Sequence, residues 1–412
     1  MPAPARHFAP QSNGGGEFSQ AGTTPWLLSQ RSLRRFVSHL REVLRPRQTA
    51  GYSAFRGRGG AANLSADMEA DSAQPLRETW YFALPGTAVP RGRMRAKTLL
   101  GEPLLICRGG DGGVFALRDI CPHRGIPLSC GRFDGQEVEC CYHGWRFDGA
   151  GRCTAIPSLV PEQDFDVARI KVKAYPAREV QGNIWIYFGE DPAGAPAVPV
   201  LPDIGERAPD LFESMRFPCT IDHAVVGLMD PAHGPFVHRA WWWRGQHSIH
   251  EKAKAFAPSP FGFTMLRHAP SRNSNAYRLL GGKPETEITF QLPSVRVEHI
   301  RVGRHAVVNL TAVTPLSERE CEVNHAIYWT LPYLTALKPL LKPFARAFLR
   351  QDRDIMALQQ QGLRHDPPLM LINDADTQAR WYYRLKNEYI RARAERRPFV
   401  NPVKERVLRW RS

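Results

Sequence analysis

Short apolar runs, broken by glycine, proline and charged residues, fill the middle of the chain and predict a strand-rich first region. Residues 104–107, 114–117 and 183–188 carry β-branched and aromatic side chains in the alternation of half-buried strands. A stretch rich in proline, alanine and glycine at 192–199 then reads as a linker. Beyond it the pattern is mixed. Strands are predicted at 285–291, 294–302, 306–314 and 322–329, whereas helical periodicity flanks residues 230–238 and covers 344–363. Strands grouped together with helices at the ends predict an α+β domain with an antiparallel sheet. The expected boundaries are an extension at 1–67, a first domain at 78–191, a second at 200–390 and a basic tail at 391–412.

Two cysteine-histidine signatures lie in the strand-rich region. Cys121-Pro122-His123 and Cys140-Cys141-Tyr142-His143 are separated by sixteen residues. Two thiolates and two imidazoles at this spacing suit a [2Fe-2S] cluster with one iron held by cysteine and the other by histidine. Zinc is the competing occupant, but zinc fingers usually pair cysteines in one turn and histidines in another, and here each loop offers one of each. Further on, the run from Asp230 to His238 supplies His233 and His238. Two neutral imidazoles plus a carboxylate form the facial triad of mononuclear iron(II), which leaves positions open for dioxygen and substrate. A separation of five does not fit one face of a regular helix, and Gly234-Pro235 offers a break that brings the two together. For the carboxylate, Asp352 is the best candidate. Its helical neighbours would be Phe348, Leu349, Ile355 and Met356, and a carboxylate facing apolar residues needs a cation or a metal. A pairing of Asp352 with a buried arginine is the alternative. Asp354 faces more polar neighbours.

The run of residues 121–148 resembles the Rieske domain of the Rieske non-haem iron oxygenases along its whole length, and D-x-x-H-x-x-x-x-H at 230–238 resembles that family's iron motif. The resemblance implies Cys121, His123, Cys140 and His143 as cluster ligands and His233, His238 and Asp352 as iron ligands. It implies that Asp230 bridges the cluster of one subunit to the iron of the next in a head-to-tail homotrimer, so that electrons entering at the cluster reach the iron where dioxygen is activated. It also implies an all-β Rieske domain followed by a helix-grip (START-like) catalytic domain, a curved sheet around a long C-terminal helix. There are departures. Cys141 stands where the family commonly has proline, and Val226-Gly227 where it often has Asp-Asn; Ile126 and Tyr142 occupy positions that hold a disulfide in high-potential Rieske proteins.

The layout is similar to the vanillate O-demethylase and pheophorbide a oxygenase group, which implies mono-oxygenation or demethylation of a hydrophobic aromatic or polycyclic compound. Ring dihydroxylation is the rival within the class, and a Rieske electron carrier with a non-catalytic ligand domain is the rival outside it. No G-x-G-x-x-G follows a strand and no second ferredoxin signature is present, so NAD(P)H and flavin are expected on a separate reductase, with or without a ferredoxin. Trp241, Trp242 and Trp243, with Phe256, Phe261 and Phe263, offer apolar surface for such a pocket, although core packing is the commoner fate of aromatics.

Composition adds the remainder. The 412 residues are 43% hydrophobic, enough for two or three domains. The eight cysteines show no disulfide framework and suit a reducing cytosol. Residues 1–66 contribute +7 of the formal +15, and Leu33, Phe36, Val37, Leu40, Val43 and Leu44 mark a basic amphipathic helix. That segment reads as a disordered extension ahead of Met68, a surface anchor or a targeting peptide. Export is not expected, because no uninterrupted apolar segment follows Arg34-Arg35. Residues 333–349 alternate leucines with Lys338, Lys342 and Arg346, a solvated helix face or a peripheral membrane contact. Nucleic-acid binding is not expected, since no recognition motif accompanies the basic charge.

Overall fold

The computed structural model describes residues 74–190, 192, 195–238, 249–270, 277, 280–372 and 374–412. The amphipathic helix expected near residues 33–44 and the three consecutive tryptophans lie outside these residues.

The first domain is entirely β apart from single 3-10 turns. Strand β1 (Thr79–Pro85) opens it, and β2 (Arg93–Leu99), β3 (Glu102–Arg108) and β4 (Val114–Arg118) form a meander. Four short strands follow as paired hairpins, β5 (Arg132–Phe133), β6 (Val138–Glu139), β7 (Arg146–Phe147) and β8 (Cys153–Ala155). The domain closes through β9 (Ala174–Tyr175), β10 (Ala177–Val180) and β11 (Asn183–Phe188), with β11 between β1 and β10. The alternation of a half-buried strand does not describe β11, nor β1, because every residue of both is buried. Tertiary contact explains this. Trp80, Phe82, Trp185 and Tyr187 on one face of the β1–β11 pair pack against Val295, Val308, Leu310, Ala312, Ala326 and Tyr328 of the second domain. Asn183 Nδ2 donates to Tyr328 Oη at 2.6 Å and Thr314 Oγ1 to the carbonyl of Phe82 at 2.7 Å, so buried polar groups are satisfied across the join.

The second domain begins with β12 (Leu211–Phe217), then α1 (Ile221–Met229) and the one-turn α2 (Gly234–Val237). Strands β13 (Glu251–Ser259), β14 (Gly262–His268), β15 (Glu285–Gln291), β16 (Val295–Val302), β17 (His305–Ser317) and β18 (Glu320–Trp329) follow, then α3 (Pro332–Leu363), α4 (Thr377–Ala394) and β19 (Arg406–Arg411). The strands form one eight-stranded antiparallel sheet in the order β12-β18-β17-β16-β15-β14-β13-β19. One face meets the first domain and the other receives the helices.

Three expectations change. Helix α3 starts twelve residues before 344, running through Pro339 and Pro343. Each proline forfeits a backbone hydrogen bond, but Leu334, Leu337, Leu341 and Ala345 form a stripe against Ile300, Val302, Val307 and Trp329, and that packing carries the helix past them. The same stripe accounts for much of the apolar surface at 333–349. Phe256 and Phe263 are core residues rather than pocket lining: Trp381 of α4 meets their rings at 5.5 and 5.1 Å. Phe261 stacks on Phe399 at 4.8 Å. Finally, the segment read as a basic tail continues α4 to Ala394 and then supplies the edge strand β19, in which Leu408 and Trp410 point inward while Arg409 pairs with Glu251. Among the described residues, no helix is long and apolar enough to cross a membrane.

Candidate metal centres

The two signature loops of the first domain are built alike. Cys121 N donates to the carbonyl of Ile126 at 2.8 Å and Gly125 N to that of Cys121 at 2.9 Å; in the second loop Cys140 N donates to Trp145 O at 2.8 Å and Gly144 N to Cys140 O at 3.0 Å. Gly125 and Gly144 hold φ of 75° and 69°, left-handed values that close each loop and favour glycine. Asp119, buried at the base of the first loop, accepts from the backbone and hydroxyl of Ser129 at 2.7 and 2.6 Å. The result sets the rings of His123 and His143 4.6 Å apart, with Trp145 stacked on His123 at 4.4 Å.

Cys121 and Cys140 are buried beside Leu128, Val138 and Phe147, whereas Cys141 is exposed. Burial pushes the Cys121 thiol up to about 11, so the sulfur needs a cation to persist as thiolate. His143 Nδ1 is buried without a hydrogen-bond partner. Buried thiols on one side and an orphaned imidazole nitrogen on the other fit a cluster with unlike irons.

In the second domain, Thr220 caps α1, accepting from His223 N through its hydroxyl. The helix ends at Asp230, and Pro235 starts α2 one turn later. His238 N donates to Gly234 O at 3.0 Å, so this turn folds the chain back and brings His233 and His238 together despite their separation of five. Their Nε2 atoms are 3.2 Å apart, and Asp352 Oδ1 of α3 lies 3.8 Å from the first and 3.3 Å from the second. Three ligand atoms within 4.8 Å of one another, two imidazole nitrogens and one carboxylate oxygen, match the donor set of a facial triad.

The surroundings orient these groups. His238 Nδ1 donates to Gln351 Oε1 at 3.0 Å, which leaves Nε2 with its lone pair facing the other ligands. Phe348 stacks on the same ring at 3.7 Å. Asp230 Oδ1 accepts from Ala232 N at 2.7 Å, and its other oxygen stands 3.6 Å from His233 Nδ1. Burial pushes Asp352 up to about 7, against the opposing charges of His233 and Arg296, and burial with the charge of His233 pushes His238 down to about 3. Burial also acts against charged His233, but the neighbouring Asp230 overrides it and raises that pKa. Asp354 is exposed and pairs with Arg353. Gly227, one of the departures, lets α1 approach α3: a Cβ there would stand 3.2 Å from Met356 Cε.

The structure therefore brings His233, His238 and Asp352 to one point, with Asp230 beside them, and brings Cys121, His123, Cys140 and His143 to another. Gln351 and Phe348 had no assigned role. Their signal was position alone, one and four residues before Asp352 on the same helix.

The sequence profile of the Rieske [2Fe-2S] domain matches residues 79–176, and that of the vanillate O-demethylase oxygenase C-terminal domain matches residues 219–392. The chain is 36% identical over 172 residues to the oxygenase component of dicamba O-demethylase from Stenotrophomonas maltophilia, covering 40% of this chain and 48% of that protein. It is 35% identical over 187 residues to the chloroplastic chlorophyllide a oxygenase of Chlamydomonas reinhardtii, covering 44% of this chain and 27% of that one. These alignments thus span less than half of each relative's length. Dicamba monooxygenase bound to dicamba shares the fold, with a TM-score of 0.62 and 23% identity over 76% of this chain and 98% of that one. With a Rieske domain ahead of a vanillate O-demethylase-type C-terminal domain, the chain belongs to the Rieske non-haem iron oxygenases.

Proposed function

We propose that this chain is a terminal oxygenase component that uses dioxygen and electrons from a separate reductase, with or without a ferredoxin, to hydroxylate or demethylate a hydrophobic aromatic or polycyclic substrate. The observation that carries the reading is the presence, in one chain, of both a Cys-His loop pair with buried thiols and a convergent His-His-Asp set. When bound, the cluster supplies single electrons and the iron supplies a site at which dioxygen is reduced. His233, His238 and Asp352 hold the iron, Gln351 fixes the tautomer of His238, and Cys121, His123, Cys140 and His143 hold the cluster.

Purified holoprotein with a reductase, NADH, labelled dioxygen and a cell extract is expected to yield, by mass spectrometry, a product that gains one labelled oxygen or loses a methyl group. Two labelled oxygens in one product would favour ring dihydroxylation. Two irons per chain, with no oxidised product from any extract, would favour the electron-carrier reading.

Asp230 is proposed as the link between subunits of a homotrimer. Its side chain is one-third exposed and lies against His233, so its free edge can meet an imidazole N–H of His123 or His143 from a neighbouring copy. Asp230→Asn is expected to retain both metals while product formation falls by about 10–100-fold, the usual scale for groups that orient metal ligands. Unchanged turnover, or a monomer in sedimentation of the active protein, would remove the bridge.

A further inference from the structure

A row of polar side chains crosses the helix-facing side of the large sheet where apolar residues would be expected. In the strand register Arg296 is opposite Thr311, Thr311 opposite His325 and His325 opposite Glu213, a straight line over β16, β17, β18 and β12. The neighbours on the other face, Val295, Val297, Leu310, Ala312 and Ala326, pack against the first domain. The row therefore points the other way, toward α3. One contact agrees: Glu213 Oε1 is 3.6 Å from Lys342 Nζ of α3.

At one end of the row Glu213 Oε1 is buried without a hydrogen bond; at the other, Arg296 and His325 carry donors that the row does not use. The Arg296 side chain is only 21% exposed and makes no hydrogen bond among the described residues; its one ion-pair partner is Glu298 at 3.5 Å. Glu298 is already served by Tyr277 Oη at 2.7 Å and faces Asn309 Nδ2 at 3.5 Å. None of the Arg296 nitrogens is buried without a partner, so its N–H donors are open to water or to a ligand. His325 is similar. Its Nδ1 meets Thr311 Oγ1 at 2.9 Å, and its Nε2 has no partner among the described residues. Burial, with the charge of Arg296, pushes its pKa down to about 4, so the ring is neutral and its second nitrogen is available as a single N–H when Thr311 donates to the first.

We propose that Arg296 and His325 form the polar end of the substrate site and grip a carbonyl or carboxylate oxygen on an otherwise apolar substrate. This deepens the oxygenase reading and rests on it. Two donors on the same face of the two strands that flank β17 select an acceptor, and Glu298 offsets the charge of Arg296, so a neutral carbonyl fits as well as a carboxylate. With that oxygen anchored on the sheet, the apolar remainder of the substrate is left toward α3 and the His233–His238–Asp352 cluster.

The test is calorimetric binding of three matched probes to the full-length holoprotein: 1-naphthoate, 1-acetylnaphthalene and 1-ethylnaphthalene. At least one oxygen-bearing probe is expected to bind about tenfold or more tightly than the ethyl compound. Arg296→Met should erase that preference for the carboxylate and His325→Phe for the ketone, which separates the two forms of the ligand. Iron content and the Rieske spectrum of each variant report folding; should Arg296→Met fail to fold, Thr311→Val reads the same site by releasing the His325 tautomer. Equal binding of all three probes, binding of none, or a preference that survives every substitution would overturn the proposal. Binding needs no turnover. Acceptor-selective binding without any oxidised product would sink the oxygenase reading alone, and oxidation with no acceptor preference would sink this proposal alone.

Discussion

Asp352→Ala is expected to abolish product formation while leaving the Rieske chromophore untouched. The carboxylate supplies the one anionic ligand atom beside two imidazoles, 3.3 and 3.8 Å from their Nε2 atoms. Without it two neutral nitrogens remain, and iron(II) affinity falls with the loss of the hard oxygen donor. Turnover should drop about a thousandfold or more, the rate equivalent of the several kcal/mol that a metal contributes as a Lewis acid. Metal analysis should find only the cluster's iron, and the visible and paramagnetic spectra of the cluster should match those of the parent. Gln351→Leu provides a graded comparison: it keeps all three ligands but frees the His238 ring, and should weaken iron binding by about 10–100-fold. Asp354→Ala, which alters an exposed pair with Arg353 two residues away, should change neither. Full iron occupancy in Asp352→Ala would show that another group completes the site.

Lys386→Met should cost more stability than any surface substitution. Lys386 Nζ donates to both oxygens of Asp222 at 2.7 and 2.9 Å, Tyr382 Oη donates to the same carboxylate, and both members of the ion pair are buried. Burial lowers the pKa of Lys386 and the Asp222 carboxylate opposes the shift, so the charged pair survives only as a pair. Removing the ammonium leaves a buried carboxylate facing a phenol, at about 3–5 kcal/mol. For a protein of this size that lowers Tm by roughly 4–6 °C, readable by calorimetry. Asp222 stands in the first turn of α1, the helix leading to His233 and His238, so the variant should also hold the mononuclear iron more loosely. Because the penalty belongs to the unpaired charge, Asp222→Asn combined with Lys386→Met should recover much of the loss. A Tm within a degree of the parent would show that Asp222 finds another cation or takes up a proton without consequence.

Metal chemistry was readable from the sequence because it is written locally. Cysteine and histidine have few equivalents as ligands, and each loop closes within five residues on its own hydrogen bonds, as at Cys121–Ile126 and Cys140–Trp145. Strand positions at 285–291 and 322–329 were also legible, since alternation reflects which face of a sheet is covered. The periodicity around Asp352 exposed it as a carboxylate with no apolar reason to be there. The first twelve residues of α3 were less legible, because local propensity does not count the stripe of contacts that carries the helix through Pro339 and Pro343. The aromatic residues 256, 261 and 263 left pocket and core both open, with core the commoner fate: a pocket wall and a core have the same composition, and only the arrival of α4 distinguishes them.

By itself, then, the sequence determined which atoms are available to bind metal and the period of the elements that carry them. The fold decided which of those atoms meet. Gln351 reaches His238 across 113 residues and Lys386 reaches Asp222 across 164, and the row from Arg296 to Glu213 exists only through the register of four strands. No local pattern encodes such meetings, because register and helix docking follow from burying whole apolar faces at once, and polar partners are placed wherever that packing sets them.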